Sequence, residues 1–173
     1  PAFELHHACA PVWPDVRRAH VFFGSGTAAE WLPECVDALM HADSTIDIFA
    51  LGLCNEHSMA RLAEQYGNRL NWSPFDEDMI RHYAHCSVAI GSPGAATWER
   101  ACIGLPSAVF ATAENQIPIL EKLNRLGICR YLGPAWQWSK PQLIEELNAF
   151  LNENDLIASM RATGIAAVDG KGA

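Results

Sequence analysis

Between the apolar run 86–90 and a second one at 108–111 the chain reads Gly91-Ser92-Pro93-Gly94-Ala95-Ala96-Thr97-Trp98-Glu99. Small side chains leave backbone N–H groups open to a ligand, and a helix starting here adds the positive end of its dipole, which suits an anion. Ser92, Gly94, Ala95, Ala96 and Thr97 are therefore candidate phosphate-binding positions. A similar loop, Gly24-Ser25-Gly26-Thr27-Ala28, follows the apolar run 20–23, and Gly24, Ser25 and Gly26 join the candidates. On one rim of a parallel sheet, the two loops together would hold a diphosphate. Tight strand-to-helix turns also use Gly and Ser for conformational reasons alone, and neither loop matches the GxxxxGK[ST] phosphate loop.

Glu99 falls one turn into the helix after the second loop, where its carboxylate can accept hydrogen bonds from the two hydroxyls of a ribose. The alternative role is a capping carboxylate that complements the helix dipole. Trp98 beside it is expected in the core rather than as a stacking platform. At the next strand end, in Thr112-Ala113-Glu114-Asn115-Gln116, Asn115 or Gln116 can read sugar hydroxyls or a phosphate oxygen, and Asn115 serves equally well as a helix N-cap. His82 and His85 are three apart with Cys86 following, but no fourth ligand is evident and no metal or other cofactor is expected. The cysteines lack a neighbouring activating group, so none is expected to act as a nucleophile.

These positions depend on alternating strands and helices. Apolar runs at 20–23, 45–50, 69–72, 87–90, 107–111 and 128–132 alternate with helical patterns near 28–42, 56–67, 76–85, 96–103, 115–126, 140–152 and 153–162. The alternation predicts right-handed βαβ units in an α/β fold, a Rossmann-like doubly wound, mostly parallel sheet of about six strands with ligands at the carboxyl ends of its strands. Residues 1–18, with prolines at 1, 11 and 14, read as an arm or interdomain linker; 19–165 form the domain; 166–173 are expected to be a flexible tail.

Composition narrows the function. The 173 residues fit one domain, and half of them are apolar, which argues against disorder. Twelve basic against 20 acidic residues, net −8, leave no electrostatic footprint for nucleic acid, so a bound phosphate must be held by local backbone geometry. Six cysteines without a CxxC pair suit a reducing cytoplasm, and no apolar run reaches the length of a membrane span.

The stretch 89–116, AIGSPGAATWERACIGLPSAVFATAENQ, resembles the carboxyl-terminal domain of the hydrolase that removes UDP from UDP-2,4-diacetamido-2,4,6-trideoxy-β-L-altropyranose in pseudaminic acid biosynthesis. The shared features are the small-residue loop, Trp98-Glu99-Arg100, Ile103-Gly104-Leu105-Pro106 and Asn115-Gln116. More distantly the pattern is similar to the nucleotide-binding half of GT-B glycosyltransferases, notably the N-acetylglucosamine transferase of peptidoglycan synthesis. The resemblance implies that Glu99 binds the uridine ribose, that Gly94–Thr97 and Gly24–Gly26 flank the diphosphate, and that Asn115 and Gln116 contact the sugar or β-phosphate. It places the uracil near Phe75, with Met79 against it. The first loop departs from that family's FGGSD-like form, here Phe23-Gly24-Ser25-Gly26-Thr27. The family's catalytic histidine belongs to an amino-terminal domain for which this chain leaves no room. The expectation is therefore a nucleotide-sugar-binding part of a two-domain enzyme, whose partner is that amino-terminal domain and which alone turns over nothing. A GT-B transferase half, a non-catalytic nucleotide-binding module and a flavodoxin-like domain are the other readings.

Overall fold

The computed structural model describes residues 2–24 and 26–171. Fourteen helices and strands, together with short 3-10 turns, follow one another as α1 (Ala2–Leu5), β1 (Arg18–Phe22), α2 (Leu32–Ala42), β2 (Asp47–Leu51), α3 (Glu56–Tyr66), β3 (Leu70–Ser73), α4 (Met79–Ala84), β4 (Val88–Gly91), α5 (Ala95–Ile103), β5 (Ser107–Ala111), α6 (Ile117–Arg125), β6 (Arg130–Pro134), α7 (Lys140–Asn152) and α8 (Asn154–Ala167). The six strands form one sheet in the order β3-β2-β1-β4-β5-β6, and every neighbouring pair is parallel. The expected α/β fold with a doubly wound sheet of six strands is what the chain adopts.

Burial along each strand follows from its place in that order. β4 and β5 are buried at every position, as parallel strands covered on both faces must be. The edge strands β3 and β6 each bury a single residue. Alternate residues of β1 point to opposite faces. Ala19, Val21 and Phe23 join the larger core with Leu32, Val36 and Leu39 of α2 and Leu147 and Phe150 of α7. His20 turns the other way, edge-on to Tyr83 of α4 with ring centroids 5.0 Å apart.

The last helix extends beyond the expected stop near 162, reaching Ala167. Gly164 ordinarily weakens a helix, but here a Cβ would lie 3.0 Å from Ala101 O, so its missing side chain lets α8 pack closely on α5. The amino-terminal residues also contact this region: Ala8 and Ala10 donate backbone hydrogen bonds to Cys102 O and Ile103 O, and the buried Trp13 indole donates to Leu151 O.

Candidate functional site

The strand order reverses between β1 and β4, and in an open parallel sheet the crevice at such a switch point, beyond the carboxyl ends of the strands, is where ligands bind. Both small-residue loops leave the sheet there, since Phe22 is in register with Gly91. The backbones come so close that a Cβ on Gly91 would stand 1.8 Å from Phe22 O; only glycine fits. Beyond it Ser92 N–H donates to Phe22 O at 3.2 Å, and a Cβ on Gly24 would lie 3.9 Å from Ser92 Oγ. The structure thus brings Gly24 and Ser92 side by side. Gly26 is the N-cap of the following 3-10 turn, while Ser25 lies outside the described residues.

Gly94 caps α5 with a φ of +127°, a conformation that side chains disfavour. No side chain caps this helix; Thr97 N–H donates to Gly94 O at 3.0 Å, while the N–H groups of Ala95 and Ala96 keep their donor capacity. Ala95 is exposed, Ala96 and Thr97 are buried, and Thr97 Oγ1 has no hydrogen-bond partner among the described residues. Thr97 and Gly94 share a cleft of about 320 Å³ with Pro93, Trp98, Asn115 and Gln116, which unites four candidate residues from two different strand ends.

Asn115 is not an N-cap: Ala113 and Gln116 occupy the cap positions of the 3-10 turn and of α6, and neither element has a side-chain cap. The exposed Asn115 side chain is left at the cleft. Gln116 Oε1 accepts from Thr112 N–H at 2.8 Å and Thr112 Oγ1 at 3.2 Å, which commits its oxygen and leaves its NH2 as the end that can donate to a ligand.

Glu99 is the fifth residue of α5, beyond its first turn, and does not cap it. Its Oε2 accepts from Tyr83 Oη at 3.2 Å. Burial pushes the Tyr83 phenol upward, the first of several causes that also include the Glu99 charge, so Tyr83 remains a neutral donor. Glu99 borders a second cleft with Phe3, Ala95, Cys102 and Asp169. Trp98 forms part of both clefts and is 48% exposed, contrary to the expected core position. The buried stripe of α5 runs through Thr97, Arg100 and Ala101, and at 100° per residue Trp98 falls outside it.

Phe75, 69% exposed, projects from the loop after β3, which Ser73 Oγ ties through Phe75 O at 2.8 Å. Met79 opens α4 and packs against the cluster that contains Tyr83 and Ile103. Met79 thus joins the cluster that holds Tyr83, the partner of Glu99, and neither Met79 nor Phe75 borders the two clefts on α5. His82 is hydrogen-bonded to Asp76 Oδ2 at 2.9 Å, and no group of three or more His, Cys, Asp or Glu side chains suited to a metal occurs among the described residues. All six cysteines are free.

Reading individual residues missed Arg100. Its side chain is fully buried, with Nη2 donating to Phe22 O at 3.3 Å and Nη1 to Ser92 O at 3.4 Å. The usable signal was an arginine three residues after Thr97, hence on the same helical face in a segment whose buried stripe is otherwise small or apolar.

The sheet order defines a Rossmann-like α/β fold, one that matches the carboxyl-terminal type of domain in GT-B neighbours. Among solved structures the chain is similar to MurG of Acinetobacter baumannii, with a TM-score of 0.72 at 18% identity over 91% of this chain and 50% of that one. It is also similar to HepE of Anabaena in complex with UDP and glucose (TM-score 0.64, 14% identity, 87% of this chain and 43% of that one). A third is the UDP-GlcNAc 2-epimerase of Neisseria meningitidis bound to UDP-GlcNAc (TM-score 0.61, 10% identity, 92% and 42%). The chain spans half or less of the length of these proteins. No protein-family model and no curated protein sequence matches it. No helix among the described residues is long and apolar enough to cross a membrane.

Proposed function

We propose that this domain binds the UDP part of a nucleotide sugar, with the diphosphate between the loops after β1 and β4. The observation that carries the reading is the juxtaposition of Gly24 with Ser92 at the switch point, next to a helix without a side-chain cap whose buried Thr97 hydroxyl lacks a partner among the described residues. Gly24 and Gly26 on one side, and Ser92 and Gly94 to Thr97 on the other, surround the phosphates. Glu99 accepts from the ribose hydroxyls, Phe75 and Met79 flank the uracil, and Asn115 and Gln116 meet the sugar or β-phosphate. Support comes from the same fold in structures solved with UDP and with UDP-GlcNAc.

The parent reaction we favour is hydrolysis of a UDP-diacetamido-trideoxyhexose in surface-sugar biosynthesis of the pseudaminic acid type, in the cytoplasm. A general base in an amino-terminal domain activates water, and the N–H groups of this domain stabilise the departing UDP. A GT-B transferase is the second reading, favoured by the likeness to MurG; there an acceptor hydroxyl replaces water. Product analysis on the parent enzyme separates the two.

Calorimetric titration with UDP, ADP and GDP on wild type and Glu99→Ala tests the binding site. Selective UDP binding that weakens by about 1–3 kcal/mol in the variant is the expected result, the scale of a hydrogen-bonded carboxylate lost. Equal affinity for UDP and ADP, or an effect of Glu99→Ala on stability alone, would overturn the uridine assignment.

A further inference from the structure

Arg100 is the bulkiest of the fully buried side chains. A guanidinium taken out of water is costly unless a counter-charge or good hydrogen bonds offset its desolvation. Here the offset is neutral throughout: two carbonyls at 3.3 and 3.4 Å, the hydroxyl of Tyr83, and no partner for Nε among the described residues. Arg100 forms no ion pair among the described residues. Charge-assisted hydrogen bonds that satisfy an arginine are ordinarily shorter than these, about 2.7–2.9 Å.

Where those carbonyls lie gives the charge a purpose. Phe22 is the last residue of β1, at the stem of the first loop, and Ser92 opens the second. One guanidinium therefore spans the switch point and is tied to both stems. Thr97, one turn earlier on the same face of α5, adds a buried hydroxyl that also lacks a partner. Two unsatisfied polar groups at the base of two glycine loops are the complement of an anionic ligand.

Resting on the nucleotide-diphosphate reading above, we infer that Arg100 is a positioning residue for the diphosphate: its fork sets the spacing of the two loops, and its unpaired charge is balanced when the diphosphate enters between them. Lysine cannot do both, since an ammonium keeps the charge but lacks the planar fork that reaches two carbonyls at once. Because a buried charge is poorly screened, the effect persists at high salt.

Calorimetric titration of wild type, Arg100→Met and Arg100→Lys with UDP, uridine and inorganic pyrophosphate tests this. Arg100→Met is expected to weaken UDP and pyrophosphate by about tenfold or more, with uridine changed less than about twofold and Arg100→Lys intermediate. Equal weakening of UDP and uridine would mark a merely structural arginine and overturn the inference, as would unchanged pyrophosphate binding. Should Arg100→Met fail to fold, Arg100→Lys decides: a lowered ratio of pyrophosphate to uridine affinity supports the role, and an unchanged ratio overturns it. Wild type that binds pyrophosphate through Arg100 but prefers no base defeats the uridine reading and leaves this role standing. Wild type that binds uridine and UDP equally, and pyrophosphate not at all, does the reverse.

Discussion

Tyr83 Oη donates to Glu99 Oε2 across 3.2 Å and so joins α4 to α5. Helix α4 lies in the crossover that brings the chain from the edge strand β3 back to β4 at the centre of the sheet, and α5 lies in the next one, from β4 to β5. The hydrogen bond fixes one carboxylate oxygen and leaves the other for a ligand. Removing it should therefore disturb binding more than folding.

Tyr83→Phe keeps the ring packed against His20 and Phe3 and deletes only the hydroxyl. We expect UDP affinity to fall by about 0.5–1.5 kcal/mol, the net worth of one hydrogen bond, while thermal unfolding moves little. Calorimetry on the variant beside Glu99→Ala gives a second check: if Tyr83 acts through Glu99, the double variant is no weaker than Glu99→Ala alone.

Two glycines in the candidate loops should respond in opposite ways. Gly91→Ala drives a Cβ into Phe22 O, where only movement of two central strands relieves the clash, and a loss of more than about 3 kcal/mol or failure to fold is expected. Gly26→Ala meets nothing within 4 Å at a φ of −96°, and its stability should stay within about 0.5 kcal/mol. Urea unfolding of the two variants checks both. A folded, stable Gly91→Ala would refute the close approach of β1 and β4.

His20 makes stability depend on pH. It is fully buried with both ring nitrogens unpartnered among the described residues, and burial first, then Arg100 and His82, hold its pKa well below the ordinary 6.5. The unfolded chain takes up this proton near 6.5 and the folded chain does not. Stability from this group is thus complete above 6.5 and falls as pH drops, by up to about 1.4 kcal/mol per unit. The lowered carboxyls of Asp37 and Asp43 act in a separate window, below the ordinary 3.8. His20→Leu should flatten the slope between pH 6.5 and 5 without a loss at pH 7.5, measured by urea unfolding across that range. An unchanged slope would show that another group titrates.

Thiol chemistry should divide the cysteines by burial. Burial pushes Cys86 and Cys129 up to about 12 and raises Cys35 strongly, whereas Cys9 is exposed and Cys54 half-buried. Native labelling at mild alkaline pH should modify Cys9 and Cys54 quickly and the four buried thiols only on unfolding. Peptide mapping that finds Cys35 among the fast sites would contradict the packing of α2 on the sheet.

Much of the architecture was legible because it rests on local regularities. The alternation of apolar runs with helical patterns located all six strands to within two or three residues, since buried parallel strands such as Ser107–Ala111 must be continuously small or apolar. Glycines 24, 91 and 94 marked the loops because their backbone conformations exclude most other residues. Trp98 and Asn115 were harder. A tryptophan's preference for the core says nothing about which way its helix turns, and a cap depends on where the first turn closes.

The sequence by itself determined that alternating elements build a doubly wound sheet and that small residues open its loops, because periodicity and backbone freedom are properties of the chain one segment at a time. Only the tertiary structure decided that Gly24 meets Ser92, that Tyr83 holds Glu99, and that Arg100 lies buried between the stems of both loops. Those contacts join residues 8 to 78 positions apart, through a strand order that reverses at β1 and β4. Their energetics depend on burial and mutual orientation, which no local segment encodes.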